Sequence, residues 1–328
     1  MPMLQDSFGR LHTYLRISLT DQCNFRCQYC LPDESETFMP PHQLMQAKEV
    51  MQLAEVFCKM GITKIRITGG EPLIRKDATS IIQQLSTLPV SLHISTNGTR
   101  IHTLLPLLQK GSISSVNISL DSLDAATFRQ ITRRNVFQLI VNNIDLLLQY
   151  NIPVKINAVI IKGINDHEIN DFVAWTKRAP IHIRFIEFMP FTYNQWSHEQ
   201  VYTCQGILAQ IQQQYILMPA VDSAGNTAQT YTLPGHQGTV GVISTISQPF
   251  CSTCNRIRLT ADGKMKNCLF SAGETDLLTA LREGRDVASL IQQNLLGKAA
   301  ERGGQFTAMP AQLNVATLQN RSMIAIGG

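Results

Sequence analysis

The stretch Tyr14-Leu15-Arg16-Ile17-Ser18-Leu19-Thr20 leads through Asp21-Gln22 into Cys23-Asn24-Phe25-Arg26-Cys27-Gln28-Tyr29-Cys30-Leu31-Pro32. Its first half alternates apolar and polar side chains, the period of a half-buried strand. Its second half carries three thiols, Cys23, Cys27 and Cys30, on the loop that follows. Three soft ligands do not close a tetrahedral zinc site, which takes four. They can hold three irons of a 4Fe–4S cube and leave the fourth iron open to bind and reduce something.

Beyond this stretch, short β-branched runs keep alternating with helical patterns. Strands are predicted at 14–20, 64–69, 91–96, 115–120, 154–161 and 182–188, and helices at 42–60, 77–86, 101–110, 136–150 and 166–178. Strand–helix–strand repetition predicts an α/β fold with a parallel sheet, and this many units predict a barrel or partial barrel. The strands are two-faced: Arg16, Ser18 and Thr20 oppose Leu15, Ile17 and Leu19, and Arg66 and Thr68 oppose Ile65 and Ile67. Likewise Asn117, Ser119 and Asp121 oppose Val116, Ile118 and Leu120, and Lys155 and Asn157 oppose Val154 and Ile156. Helices need the apolar face, so the polar one is expected to line an interior that holds a polar ligand. A one-sided sheet with its polar face in solvent is the alternative. Chemistry-bearing residues gather at strand ends, in Gly69-Gly70-Glu71-Pro72, Ser95-Thr96-Asn97-Gly98, Ser119-Leu120-Asp121-Ser122 and Glu187-Phe188-Met189-Pro190. Barrel and open-sheet enzymes keep their sites there.

A chain of 328 residues, 44% hydrophobic and 16% charged, can bury a large core and form about two domains. Its net charge of +4 is too small to argue for nucleic acid or a membrane surface as partner. Neither a signal peptide nor a membrane span is read from it, and a cytoplasmic location is expected. Eight cysteines in a reducing compartment are not a disulfide framework. Two groups of three leave Cys58 and Cys204, which read as buried small hydrophobes.

After Pro190 the alternation stops, so a division into 1–190 and 191–328 is expected, with a helix around 205–215 and strands at 231–233 and 239–246. The second part carries Cys251, Cys254 and Cys268, with His236 as the nearest upstream histidine. With no obvious fourth ligand, a second 4Fe–4S cluster with an open iron is a better reading than structural zinc. Arg256 and Arg258, two residues apart, would fork from one strand face and suit a bidentate grip on phosphate. With Arg16, Arg66 and Lys155 they would present convergent positive charge to a polyphosphate. Two exposed arginines on an edge strand are the alternative.

The Cys-x3-Cys-x2-Cys run, with an aromatic residue before its last Cys, resembles the signature of the radical S-adenosylmethionine (SAM) enzymes. In that family the open iron chelates the amino acid end of SAM, and an electron cleaves it to a 5′-deoxyadenosyl radical. Other stretches narrow the resemblance: Ile67-Thr68-Gly69-Gly70-Glu71-Pro72-Leu73, Ser119-Leu120-Asp121-Ser122-Leu123 and Arg184-Phe185-Ile186-Glu187-Phe188-Met189-Pro190. So do Cys254-Asn255-Arg256-Ile257-Arg258-Leu259-Thr260-Ala261-Asp262-Gly263 and the terminal Ile326-Gly327-Gly328. Together they resemble the GTP 3′,8-cyclase family of molybdenum cofactor biosynthesis over nearly the whole chain. Gln22 stands where that family often has Arg, and Val242 where Phe is common.

The resemblance implies an incomplete (β/α)6 TIM-type barrel closed by a C-terminal domain that carries the second 4Fe–4S cluster. It implies SAM contacts at Tyr29, Gly70, Ser119 and Met189. It implies GTP contacts at Arg16, Arg66, Thr96, Lys155, Arg256, Ile257 and Arg258, with guanine on the open iron of the second cluster. The adenosyl radical would take hydrogen from the ribose 3′ carbon, which then attacks carbon 8 of guanine. A proton and an electron complete (8S)-3′,8-cyclo-7,8-dihydroguanosine 5′-triphosphate. Cys27, Gly327 and Gly328 are the implied catalytic residues, the Gly-Gly tail inserting toward the site. Implied partners are GTP, an electron donor of unknown identity, cyclic pyranopterin monophosphate synthase as recipient of the product, and a second copy of the chain in a homodimer. A peptide-modifying radical SAM enzyme and a two-cluster electron carrier remain as rivals, although a carrier would want four cysteines per cluster.

Overall fold

The computed structural model describes residues 3–31, 37–192, 194–220, 225, 227–306, 313 and 315–327. The alternating runs become β1 (Tyr14–Ser18), β2 (Lys64–Thr68), β3 (Ser91–Thr96), β4 (Ser115–Ser119), β5 (Val154–Ile160) and β6 (His182–Glu187), which pair in that order and run parallel. The residues after Pro190 supply β7 (Met218–Pro219), β8 (Gln229–Thr232), β9 (Thr239–Ile243), β10 (Arg256–Leu259), β11 (Lys264–Lys266) and β12 (Thr275–Asp276). These extend the same sheet at both edges. β10 lies parallel against β1 and β9 parallel against β6, and antiparallel strands continue outward on each side. The order is β12-β11-β10-β1-β2-β3-β4-β5-β6-β9-β8-β7, an open sheet whose two ends do not pair among the described residues.

Ten helices are described: α1 (Ala47–Lys59), α2 (Ala78–Leu85), α3 (Leu105–Gln109), α4 (Ala125–Thr132), α5 (Phe137–Gln149), α6 (Ile169–Arg178), α7 (Cys204–Gln212), α8 (Leu277–Arg282), α9 (Val287–Leu296) and α10 (Met323–Ile326). The helix expected over 42–60 starts only at Ala47. Pro41–Gln43 forms a separate 3-10 turn, and a capping box between Gln46 and Glu49 then opens α1. α4, α8 and α9 lie outside the expected set, and each starts at an aspartate, Asp124, Asp276 and Asp286, whose carboxylate accepts from first-turn backbone N–H groups.

Strand register separates the faces. Leu15 lies between Ile65 and Ile257, and Ile17 between Ile67 and Leu259, all of them fully buried. Leu53 and Phe57 of α1, Ile82 of α2, Ile144 of α5 and Phe172 of α6 join them in one core. At roughly 1.5–3 kcal/mol for each such side chain, this face supplies the main driving force for folding. The opposite face is left to the polar residues.

Candidate active site

The first cysteine loop is fixed by its own backbone and by the segments it docks on. The carbonyl of Cys27 accepts the N–H groups of Cys30 (3.0 Å) and Leu31 (2.8 Å). Gln28 and Arg26 donate to the carbonyls of Ile131 and Thr132 (3.0 and 3.1 Å), at the C-terminal end of α4. Those carbonyls have no partner within their helix, so the unanticipated α4 is what the loop docks on. Asn24 is held from three sides: it donates to Thr99 Oγ1 (3.1 Å), accepts from Asn97 Nδ2 (2.7 Å), and offers its carbonyl to Arg134 Nε (2.6 Å).

Gly69-Gly70-Glu71 lies against the start of this loop. A Cβ on Gly69 would meet the Thr20 carbonyl oxygen at 2.7 Å, and one on Gly70 would run into the carbonyls of Asp21 and Gln22. Glycine is therefore required here by close backbone approach. The Gly70 N–H donates to the Thr20 carbonyl (2.8 Å), so at this position the chain spends its donor on the loop itself. Glu71 is fully buried and accepts from the N–H groups of Leu73 and Asn97 (3.0 and 2.6 Å) and from the Thr96 hydroxyl (2.8 Å). Burial pushes its carboxyl up to about 7, against the pull of those bonds.

The thiols face carboxyl groups. Burial, then the nearby Asp121 carboxylate, then Cys30 and Cys23, hold the Cys27 thiol well above its ordinary value. Burial also raises Cys23, to about 11. The Tyr29 hydroxyl donates to Asp121 Oδ2 (2.8 Å), and burial lifts Asp121 to about 6. Three free, half-buried thiols on one loop, close enough to disfavour one another's ionisation, fit a cluster that leaves one iron open. Among the described residues no three His, Cys, Asp or Glu converge on a single-ion site. Thiols that each hold a different iron of a cube have no need to.

The polar sheet face carries a row of cations. Register places Arg258, Arg16, Arg66 and His93 side by side across β10, β1, β2 and β3, with Arg256, Tyr14 and Lys64 in the next row. Lys155 and Arg184 lie on the same face further along, on β5 and β6. Burial, then neighbouring arginines, depress these bases: Arg184 and Arg258 to about 9, and Lys155 to about 8. Burial acts in the opposite sense on Tyr14, but Arg66 and Arg16 outweigh it and bring the phenol down to about 7. The Tyr14 hydroxyl accepts from Arg66 Nε, and Arg66 also donates to the Ile94 carbonyl (3.2 Å). Nε and Nη2 of Arg184 are sealed from solvent and have no hydrogen-bond partner among the described residues.

Not every expected contact joins this row. Ile257 is fully buried on the apolar face beside Leu15, so only its backbone can face a ligand. Thr96 shares the parity of Ile94, and its hydroxyl is committed to Glu71. Ser119 ends β4, and Met189 packs with Phe191, Phe270 and Ile326 while its carbonyl accepts from Asn194 (2.8 Å). Arg184, Lys64 and Tyr14 share the polar face, and the alternation that marks Arg16 and Lys155 marks them equally. Asp121 is legible as a polar strand-end residue, but its place beside Cys27 and Tyr29 shows only in the fold.

The second cysteine group is assembled from separate segments. Cys251 opens a 3-10 turn, Cys254 precedes β10 and Cys268 follows β11. Arg10 Nη1 donates to the Cys251 carbonyl (2.8 Å) and to that of Ala300 (2.7 Å). Burial raises the Cys254 thiol, but Lys298 and Arg256 together bring it below its ordinary value. Arg256 covers the Phe250 ring at 4.7 Å. The C-terminal tail runs onto the polar face: Arg258 Nη1 donates to the Gly327 carbonyl (2.5 Å), and Gly327 sits against Ser18 and Thr68. Gly328 and Pro32 lie outside the described residues. Cys204 is buried and Cys58 half-buried, both against the main core.

Two family models cover most of this chain, the Radical SAM superfamily over 17–176 and Molybdenum Cofactor Synthesis C over 181–303. It is therefore a radical SAM protein, a class that works with a 4Fe–4S cluster and SAM, with a molybdenum cofactor synthesis C-terminal region. It is 43% identical to the mitochondrial GTP 3′,8-cyclase of Arabidopsis thaliana over 99% of this chain and 84% of that protein. It is 40% identical to the GTP 3′,8-cyclase of Desulforamulus reducens over 90% of this chain and 94% of that one. The chain belongs to the GTP 3′,8-cyclase family. It also matches human molybdenum cofactor biosynthesis protein 1 at 42% identity over 98% of itself, spanning about half (51%) of that longer protein. The fold alone is shared with Streptococcus suis SuiB, at a TM-score of 0.65 and 14% identity over 89% of this chain and 68% of SuiB.

Proposed function

We propose that this chain is a GTP 3′,8-cyclase that converts GTP to (8S)-3′,8-cyclo-7,8-dihydroguanosine 5′-triphosphate, the first step of molybdenum cofactor biosynthesis. The observation that carries the reading is the cation row on the polar sheet face, in which Arg66 is buried and the others are half-buried. Among the described residues none of Lys64, Arg66, Lys155, Arg184 and Arg258 forms an ion pair with a carboxylate. Taking such charges out of water costs several kcal/mol each, in order of magnitude, unless an anion meets them. A nucleoside triphosphate supplies that anion.

In this reading Cys23, Cys27 and Cys30 hold the first cluster and Cys251, Cys254 and Cys268 a second. Tyr29, Gly70, Ser119 and Met189 surround SAM. The first cluster, when bound, supplies the electron that breaks SAM to the radical which takes the ribose 3′ hydrogen. Arg16, Arg66, Lys155, Arg256 and Arg258, together with Arg184 and Lys64, grip the phosphates and fix the ribose between the two cysteine groups, the backbone at Thr96 and Ile257 bordering the pocket. Positioning of this kind, with water kept out, is the protein's share of cofactor chemistry. The tail at Gly327, held by Arg258 against Ser18 and Thr68, closes the site. Eight free cysteines suit a reducing compartment, for which we take the cytoplasm. Among the described residues no helix is long and apolar enough to cross a membrane. A homodimer is the expected assembly, and the product would pass to cyclic pyranopterin monophosphate synthase.

Anaerobic incubation of the reconstituted protein with SAM, dithionite and GTP is the test. 5′-Deoxyadenosine and the cyclised triphosphate should form together, and only when GTP is present. Equal 5′-deoxyadenosine without GTP, or with ATP in its place, overturns the assignment.

A further inference from the structure

A buried ammonium stands inside the second cysteine group. Just beyond α9 the chain places Lys298, 4% exposed, with Nζ 3.6 Å from Sγ of Cys254. The same Nζ lies 3.0 Å from the Arg256 carbonyl and 2.7 Å from the Asn267 carbonyl, so all three N–H donors are used. Two of these acceptors are neutral. The third is the sulfur of Cys254. An ammonium taken out of water needs an anionic partner, and here that partner is the cysteine group. Arg256 lies two residues after Cys254, and Asn267 directly precedes Cys268. One nitrogen thus ties the segment that carries Cys254 to the segment that carries Cys268. The first group is built otherwise. Sγ of Cys23 accepts the Phe25 backbone N–H (3.4 Å), and the first charge bearing on Cys27 is the Asp121 carboxylate.

We propose that Lys298 is a positioning residue for the cluster at Cys251, Cys254 and Cys268, and that its ammonium on Sγ of Cys254 sets that cluster's reduction potential above that of the cluster at Cys23, Cys27 and Cys30. The inference rests on the two-cluster reading above. A positive charge with an N–H···S bond stabilises electron density on the sulfur and so favours the cube carrying one more electron. Reduction here adds one electron from an external donor, with no bond made or broken and no proton moved.

The full chain bearing C23S, C27S and C30S isolates the second cluster, and one bearing C251S, C254S and C268S isolates the first. Each is reconstituted anaerobically and titrated with dithionite against mediators while EPR follows the reduced cube. The second cluster should be half-reduced at a less negative potential than the first. K298M should move it to a more negative potential, K298R should leave it nearly in place, and neither should move the first cluster. A second cluster at or below the first, or one unmoved by K298M at full iron content, overturns the proposal. Should K298M take up no iron, K298R decides: iron retained supports the need for charge, and iron lost from both reduces Lys298 to packing and overturns it. No iron in the C23S/C27S/C30S chain with Lys298 in place would instead sink the two-cluster reading itself.

Discussion

The two cysteine groups have three thiols each and are built on opposite plans. The first sits in one loop, bonded to itself and to the end of α4, with the carboxyl groups of Asp121 and Glu71 and the guanidinium groups of Arg26 and Arg134 as its charged surroundings. The second is gathered from a turn and the margins of two strands by residues far off in the chain, Arg10 and Lys298, and its surroundings are cationic. A locally built site forms with its loop. One gathered at long range forms only when the sheet has closed β10 onto β1. In the reading proposed above, the two groups stand at the two ends of the nucleotide site.

The sharpest way to break this comparison is to remove one thiol from each end. Cys27→Ser should abolish SAM cleavage outright and lower the iron content by about half. Cys254→Ser should lose a similar amount of iron but keep the first cluster, and with it a slow SAM cleavage no longer tied to GTP. Iron analysis and 5′-deoxyadenosine assays with and without GTP separate the two. Equal loss of SAM cleavage in both variants would mean the groups are not independent sites.

Between the ends lies the cation row, where stability and binding are expected to oppose one another. Arg184→Met removes a guanidinium that burial and Arg66 disfavour. The nucleotide-free protein should therefore resist urea better than the parent, while GTP affinity falls about 10- to 100-fold, the worth of one or two hydrogen bonds to a charged group. Lys155 adds a pH signature. Burial and Arg184 hold it down to about 8 from an ordinary 10.5. Between those values the unfolded chain binds the proton and the folded one does not, so stability rises with pH through that window. The same deprotonation removes a charge from the phosphate grip. GTP affinity should fall above about pH 8, and Lys155→Met should show a shallower fall. An identical fall in the variant would exclude Lys155 from the grip.

How much of this could be read in the chain follows the same division. The Cys23–Cys30 run, the six central strands and the cation face were all legible because each depends on spacing within a few residues: thiols on a loop, side chains alternating on a strand. Arg184 and Lys64 were equally legible by parity and needed only the same rule applied to every strand. α4 was not, since its eight residues bury little beyond Phe128 and Ile131 and its signal is the Asp124 cap. The continuation of the sheet by β9 and β10 could not be read, because pairing between strands far apart in the chain, Arg184 with Gly241 and Tyr14 with Arg256, leaves no local mark. Lys298 and Arg10 were invisible for that reason too: as single basic residues they resemble any solvated surface charge until the fold buries them.

The tail tests whether the two ends must be bridged. Gly327 has φ +85°, and a Cβ there would meet Thr68 Oγ1 at 2.7 Å and Ser18 Cβ at 2.8 Å. Gly327→Ala combines backbone strain of about 1–2 kcal/mol with that collision, which loosens the bond from Arg258 to the Gly327 carbonyl. Cyclisation should slow by about 5- to 30-fold, the rate equivalent of that strain, with iron content and SAM binding unchanged. Deletion of Gly327 and Gly328 should cost more. Cyclisation at the parent rate after that deletion would leave the tail no part in the chemistry.

The mildest expected effect probes the local plan of the first site. Asp124 caps α4 by accepting from the N–H groups of Ala126 and Thr127 (3.1 and 2.8 Å). Asp124→Ala should cost about 1 kcal/mol, the usual worth of such a cap. Because the far end of α4 supplies the carbonyls that hold Arg26 and Gln28, fraying of the helix should loosen the loop between Cys23 and Cys30 and leave the second group untouched. Iron loss to a chelator should then quicken several-fold for the first cluster only, and Asp124→Asn, which keeps a capping oxygen, should restore most of the parent rate. Equal release from both clusters would show that the loop draws its order from the fold as a whole, and the contrast between the two groups would lose its physical basis.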